Sequence, residues 1–158
     1  MAQDIELKDV LARFSRLMDR AERLLPAPAL DPDWSAPAHR WHRDGHLTAI
    51  HGIAPLDLGD LLYIERQKTL LVRNTRQFLK RLPANNVLLW GARGTGKSSL
   101  MRALLNAYKD EGLRIIQVDG QDLVHMPDIV MPLAGRPERF ILLADDLSFE
   151  ASDPGYKA

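Results

Sequence analysis

The eight residues GARGTGKS, Gly91 to Ser98, constrain this chain more than any other stretch. They match G-x-x-x-x-G-K-[ST] in full, between an apolar run, VLLW, and an amphipathic run, SSLMRALLNAY. Glycines let such a loop wrap so that successive backbone N–H groups point inward and form an anion-binding concavity. The N-terminus of the following helix adds its dipole to the same spot. Gly91, Ala92, Arg93, Gly94, Thr95, Gly96, Lys97, Ser98 and Ser99 are therefore candidate nucleotide contacts. Lys97 is spaced to reach β- and γ-phosphates as a point charge, and the Ser98 hydroxyl to ligate Mg²⁺. The bland alternative is a glycine-rich turn with no ligand. The rival dinucleotide fingerprint fails, because Ser99 stands where a third glycine or alanine is required.

A second signal is FILLADD. An apolar strand running into adjacent acids places Asp145 to hold Mg²⁺ through water, and Asp146 to orient or deprotonate an attacking water. Lys97, Asp145 and Asp146 are thus the catalytic candidates, with Ser98 and Asp145 as metal ligands. Read without the glycine loop, the two aspartates are equally an ordinary acidic strand end.

The rest of the chain supplies a scaffold of α/β type. Apolar residues recur at helical steps over 4–25, with Asp4 as N-cap. Residues 26–49, rich in proline and histidine, read as a linker or wrapping segment, with a weak hairpin signal at HLTAIHGI. A helix is expected over 65–82, with Leu70, Leu71, Asn74, Phe78 and Leu82 on one face and Arg66, Arg73, Arg76 and Lys80 opposite. VLLW reads as a strand, and the helix after the glycine loop ends at Gly112. RIIQVD and RFILLADD read as further strands, and MPDIVMPL as a helix clipped by Pro132. Alternating strands and helices predict a parallel sheet with flanking helices.

Charge separates along the chain although lysine plus arginine equals aspartate plus glutamate, 21 each. Residues 64–102 carry nine basic residues and one acidic, and both flanking stretches are net acidic. The basic face of the 65–82 helix reads as solvated, or as a contact with a subunit or with nucleic-acid phosphates. His39, His42, His46 and His51 cluster in sequence but lack a recognised ligand spacing. Packing and polar surface, or a partner contact, is the expectation for them. No cysteine is present, so disulfides and thiolate chemistry are excluded. There is no apolar run of about 18 residues, and no leader-like apolar stretch follows the acid-bearing start MAQDIELKDV. A cytoplasmic location and no membrane partner are the expectations.

The blocks NVLLWGARGTGKSSL, ERF and DDLSFE…DPGYK resemble a bacterial AAA+-like ATP-binding family catalogued as a domain of unknown function, from about Ile50 onward. The resemblance implies a P-loop NTPase core over 50–158, incomplete at its C-terminus, after an N-terminal helix over 1–25 and the 26–49 segment. It implies ATP and Mg²⁺ as ligands, Asp145 and Asp146 as the Walker B pair, and a homo-oligomer in the full-length protein. It also implies Leu61 and Leu62, and more weakly Tyr63, as an adenine-side wall, although a glycine is usual where Tyr63 stands. Sensor, arginine-finger and lid elements of that family are expected beyond this stretch, together with the strand that separates the Walker A and Walker B strands. The activity expected is Mg-dependent ATP hydrolysis, weak in this stretch alone. The alternative is a nucleotide-dependent binding or scaffold module without significant turnover, its partner being protein or nucleic acid.

Overall fold

The computed structural model describes residues 13–14 and 31–145. The chain divides into two compact units, Met1–Asp31 and Pro32–Ala158. In the first, Arg13 and Phe14 are helical; the remainder of the helix expected over 4–25 lies outside the described residues.

The second unit is an α/β fold built on a mixed four-stranded sheet. Strands β1 (Ala38–Trp41), β2 (Leu47–Ile50), β3 (Leu113–Asp119) and β4 (Arg139–Asp145) lie in the order β2-β1-β3-β4. Strand β3 pairs in parallel with both β1 and β4, whereas β1 and β2 form an antiparallel hairpin. The expected all-parallel sheet is thus corrected at one edge. Residues read from sequence as part of a linker supply that edge, because four-residue strands such as AHRW carry too little periodicity to announce themselves.

Helix α1 (Glu65–Leu79) and helix α2 (Lys97–Tyr108) cover one face of the sheet, and the short α3 (Met126–Val130) covers the other. Strand alternation sorts the side chains between them. Leu113, Ile115, Ile141 and Leu143 pack with Leu71, Leu100, Leu104 and Tyr108. Ile116, Val118, Phe140 and Leu142 pack with Trp41, Leu47 and Ile129. Leu104, Leu113, Ile116 and Ile129 are fully buried, each contributing about 1.5–3 kcal/mol relative to exposure. A sheet covered on both faces explains the near-continuous apolar runs of β3 and β4.

Two expectations shift in detail. Helix α1 buries Leu71 and Thr75, while Leu70 is half exposed to solvent. The helix ends at Leu79 in a Schellman arrangement: Leu82 N–H donates to the Gln77 carbonyl and Arg81 N–H to that of Phe78, with Arg81 at φ 59°. Pro132 stops α3 as expected, and a 3₁₀ turn over Met131–Leu133 follows it.

The larger correction concerns VLLW. Residues 83–90 carry no regular secondary structure and do not join the sheet. Both edges of β3 are taken by β1 and β4, which leaves only the outer edges of β2 and β4 open among the described residues, and the segment pairs with neither. The outer edge of β4 has no strand partner among the described residues, and a cleft of about 1400 Å³ lies between it and the 84–90 segment. Val87, Leu88 and Trp90 are left exposed in consequence.

Candidate nucleotide site at the glycine loop

The glycine loop leaves the 83–90 segment and feeds directly into α2. Gly91, Gly94 and Gly96 take φ of 142°, 83° and 86°, a region L side chains rarely adopt. Gly96 is the N-cap of α2, and its carbonyl accepts the first helical bond from Leu100 N–H at 2.8 Å. Thr95 Oγ1 donates to the Ala92 carbonyl at 2.8 Å, closing the turn from inside. A Cβ at Gly91 would meet Thr95 Oγ1 at 3.3 Å, so that glycine also makes room for the lock.

Lys97 is the first residue of α2. Its Nζ donates to the carbonyls of Gly91 and Ala92, each at 2.9 Å, so the ammonium is folded back over the loop. Ser98 is exposed and Ser99 half-buried on the first turn, and Arg93 is exposed at the edge of the large cleft. The loop lines the large cleft with Asn74 and Phe78 of α1 and with Ile141 to Ala144 of β4. Asn74 of α1 bonds the Asn85 backbone through both atoms of its amide, which ties the segment ahead of the loop to the helix.

Asp145 closes β4, next to Asp119 in the parallel register, so both acids stand at the C-terminal end of the sheet. In open α/β sheets that end is where ligands bind. Asp146 lies outside the described residues. Asp119, exposed and 3.9 Å from Arg40 Nη2, is absent from the residues picked out by sequence. The signal for it is the same grammar as FILLAD, an apolar strand running into an acid in RIIQVD.

Leu61, Leu62 and Tyr63 are not brought to this cleft. Leu61 packs toward the α1–α2 core, Leu62 is exposed, and Tyr63 is 97% exposed at φ 65°. The histidines disperse instead of converging. His39 is buried on β1, where Nε2–H donates to the Asp33 carbonyl at 3.0 Å and the ring tilts against Trp34. Burial pushes its pKa below the ordinary 6.5, aided by the Arg114 and Arg136 charges and opposed by Asp33. His42 and His46 stack on each other, and His51 pairs with Asp33. No group of three or more His, Asp or Glu close enough to hold a metal occurs among the described residues. None of their helices is long and apolar enough to cross a membrane.

No curated protein and no solved structure matches the chain. A family model described as "Protein of unknown function (DUF815)" matches residues 34–158, and so takes in the β1–β2 hairpin as well as the glycine loop and β4. The chain belongs to the DUF815 family.

Proposed function

We propose that this protein binds ATP with Mg²⁺ at the glycine loop and hydrolyses it as a P-loop ATPase of AAA+ type. The observation that carries the reading is the loop itself. A complete G-x-x-x-x-G-K-S sequence has three glycines at positive φ and delivers Lys97 and Ser98 onto the first turn of a 12-residue helix.

The residues also suit the metal. Hard oxygen donors, the Ser98 hydroxyl and the Asp145 carboxylate, are what Mg²⁺ prefers, and it keeps several waters besides. When bound, Mg²⁺ would neutralise charge on the phosphate oxygens. The loop N–H groups bind the phosphates and fix their direction. Lys97 exchanges the Gly91 and Ala92 carbonyls for the β- and γ-phosphate oxygens, where its charge counts most as the transferred group separates. Asp146 orients the attacking water and accepts its proton.

The cleft between the 84–90 segment and β4 favours a second reading alongside the first. The segment leading into the glycine loop is not paired with β4, the strand that ends in Asp145, which suits nucleotide binding with little turnover. Trp90, 87% exposed and adjacent to the loop, is placed to respond to a bound nucleotide. Titration with Mg-ATP is expected to change its emission in the parent chain and not in Lys97→Ala. An unchanged emission in both, with no phosphate released, overturns the proposal. A binding response without phosphate release selects the binding-module reading.

A further inference from the structure

Helix α1 carries a groove on the side away from its buried residues, with a volume of about 460 Å³. Its floor is aliphatic: Leu58, Val72 and the half-exposed Leu82. Its rim is cationic: Arg73, Arg76 and Lys80, spread over two turns, or about 10 Å of helix. Lys68 closes one end but is spent internally, on the Leu58 carbonyl at 3.0 Å and on Glu65 at 2.7 Å. Arg76 uses Nε on the Tyr108 hydroxyl at 2.9 Å, which pins its guanidinium at the groove edge. Arg73 and Lys80 make no ion pair with any described residue.

We propose that this groove docks an acidic amphipathic segment of a protein partner, with apolar side chains on Leu58, Val72 and Leu82 and carboxylates on Arg73, Arg76 and Lys80. Apolar floor and cationic rim lie within one helix length of each other, the spacing a helix-in-groove ligand presents at i, i+3, i+4 and i+7. Residues 64–102 carry nine basic residues against one acidic, so the field around α1 steers acidic partners toward it. Nucleic acid fits less well: no aromatic side chain lines the groove for a base to stack on. A free anion would have no use for the aliphatic floor. This surface stands independently of the nucleotide reading.

The test is fluorescence anisotropy with three labelled probes: a short helical peptide of leucine and glutamate, its leucine–glutamine counterpart, and a thymidine oligonucleotide. The leucine–glutamate peptide is expected to bind in preference to both others. Arg73→Glu with Lys80→Glu should weaken it at least about tenfold, and Leu82→Asn should weaken it without altering the charge. Arg102→Glu, which reverses an exposed cation on α2 outside the groove, should change little. Circular dichroism of each variant separates lost binding from lost fold. Preference for the oligonucleotide, equal weakening by Arg102→Glu, or no binding of the leucine–glutamate peptide overturns the proposal.

Discussion

Asn74 and Asn85 form a two-bond clamp: Asn74 Nδ2 donates to the Asn85 carbonyl at 2.8 Å, and Asn85 N–H donates to Asn74 Oδ1 at 2.9 Å. The side-chain amide supplies hydrogen-bond partners to a backbone that pairs with no strand of the sheet. Asn74→Ala removes both bonds, and the expected loss is about 1–3 kcal/mol in urea unfolding. The segment so released leads straight into Trp90 and the glycine loop. Quenching of tryptophan emission should therefore rise in the same variant, and unchanged stability would show the clamp to be ornamental.

Arg81 sits at φ 59° in the left-handed position that ends α1. A side chain there costs about 1–2 kcal/mol by crowding the following carbonyl, and glycine is the usual occupant. Arg81→Gly is expected to raise the thermal midpoint, by about 1 kcal/mol in stability after the added freedom of the unfolded chain is set against it. A lowered midpoint would mean that the arginine makes contacts worth more than the strain.

The loop glycines give a matched pair. A Cβ at Gly96 meets nothing within 4 Å, but the residue sits at φ 86°. Gly96→Ala is thus strained through its backbone alone and should cost about 1–2 kcal/mol, with nucleotide affinity falling too. Gly52 is equally open and has no such φ, so Gly52→Ala should be neutral or slightly stabilising. Equal behaviour of the two variants in thermal unfolding would contradict the assigned loop geometry.

Stability should fall with pH through the histidine range because of His39. Burial holds its pKa below 6.5 in the fold. The unfolded chain therefore takes up a proton first, and stability is lost as pH drops below about 6.5 until the folded histidine also titrates. Asp33 and Glu138 act at lower pH. Hydrogen bonds from Ser35 hold Asp33 below 3.8. Burial would raise Glu138, yet its backbone hydrogen bond and Arg136 hold it below 4.5. Their contributions are present above those ordinary values and are lost as pH falls further. Urea midpoints at successive pH values, with His39→Gln as comparison, check this: the slope between about pH 7 and 5 should flatten in the variant.

Helices α1 and α2 are legible in sequence because their apolar residues repeat at three and four, and β3 and β4 because both are buried on two faces. The glycine loop is legible because its glycines answer a local backbone need. What resisted reading depends on partners far along the chain. Ala38–Trp41 becomes a strand through β3, more than 70 residues on. VLLW has the composition of a strand but pairs with no strand among the described residues, although the outer edge of β4 is open. Sequence alone does not say which of the four histidines packs inward; β1 turns His39 into the fold. Leu61 and Leu62 entered through resemblance, and the fold places neither at the cleft. Asp119 ends an apolar strand as Asp145 does, but RIIQVD lacks the adjacent second acid that marks FILLADD.

The central claim, that Gly91 to Ser99 grips a nucleotide phosphate, is tested most directly by calorimetric titration of Mg-ATP into the chain and into Lys97→Ala. Saturable heat is expected for the parent chain and its loss in the variant, with circular dichroism unchanged. Equal heats for the two chains, or none for the parent chain, would contradict it.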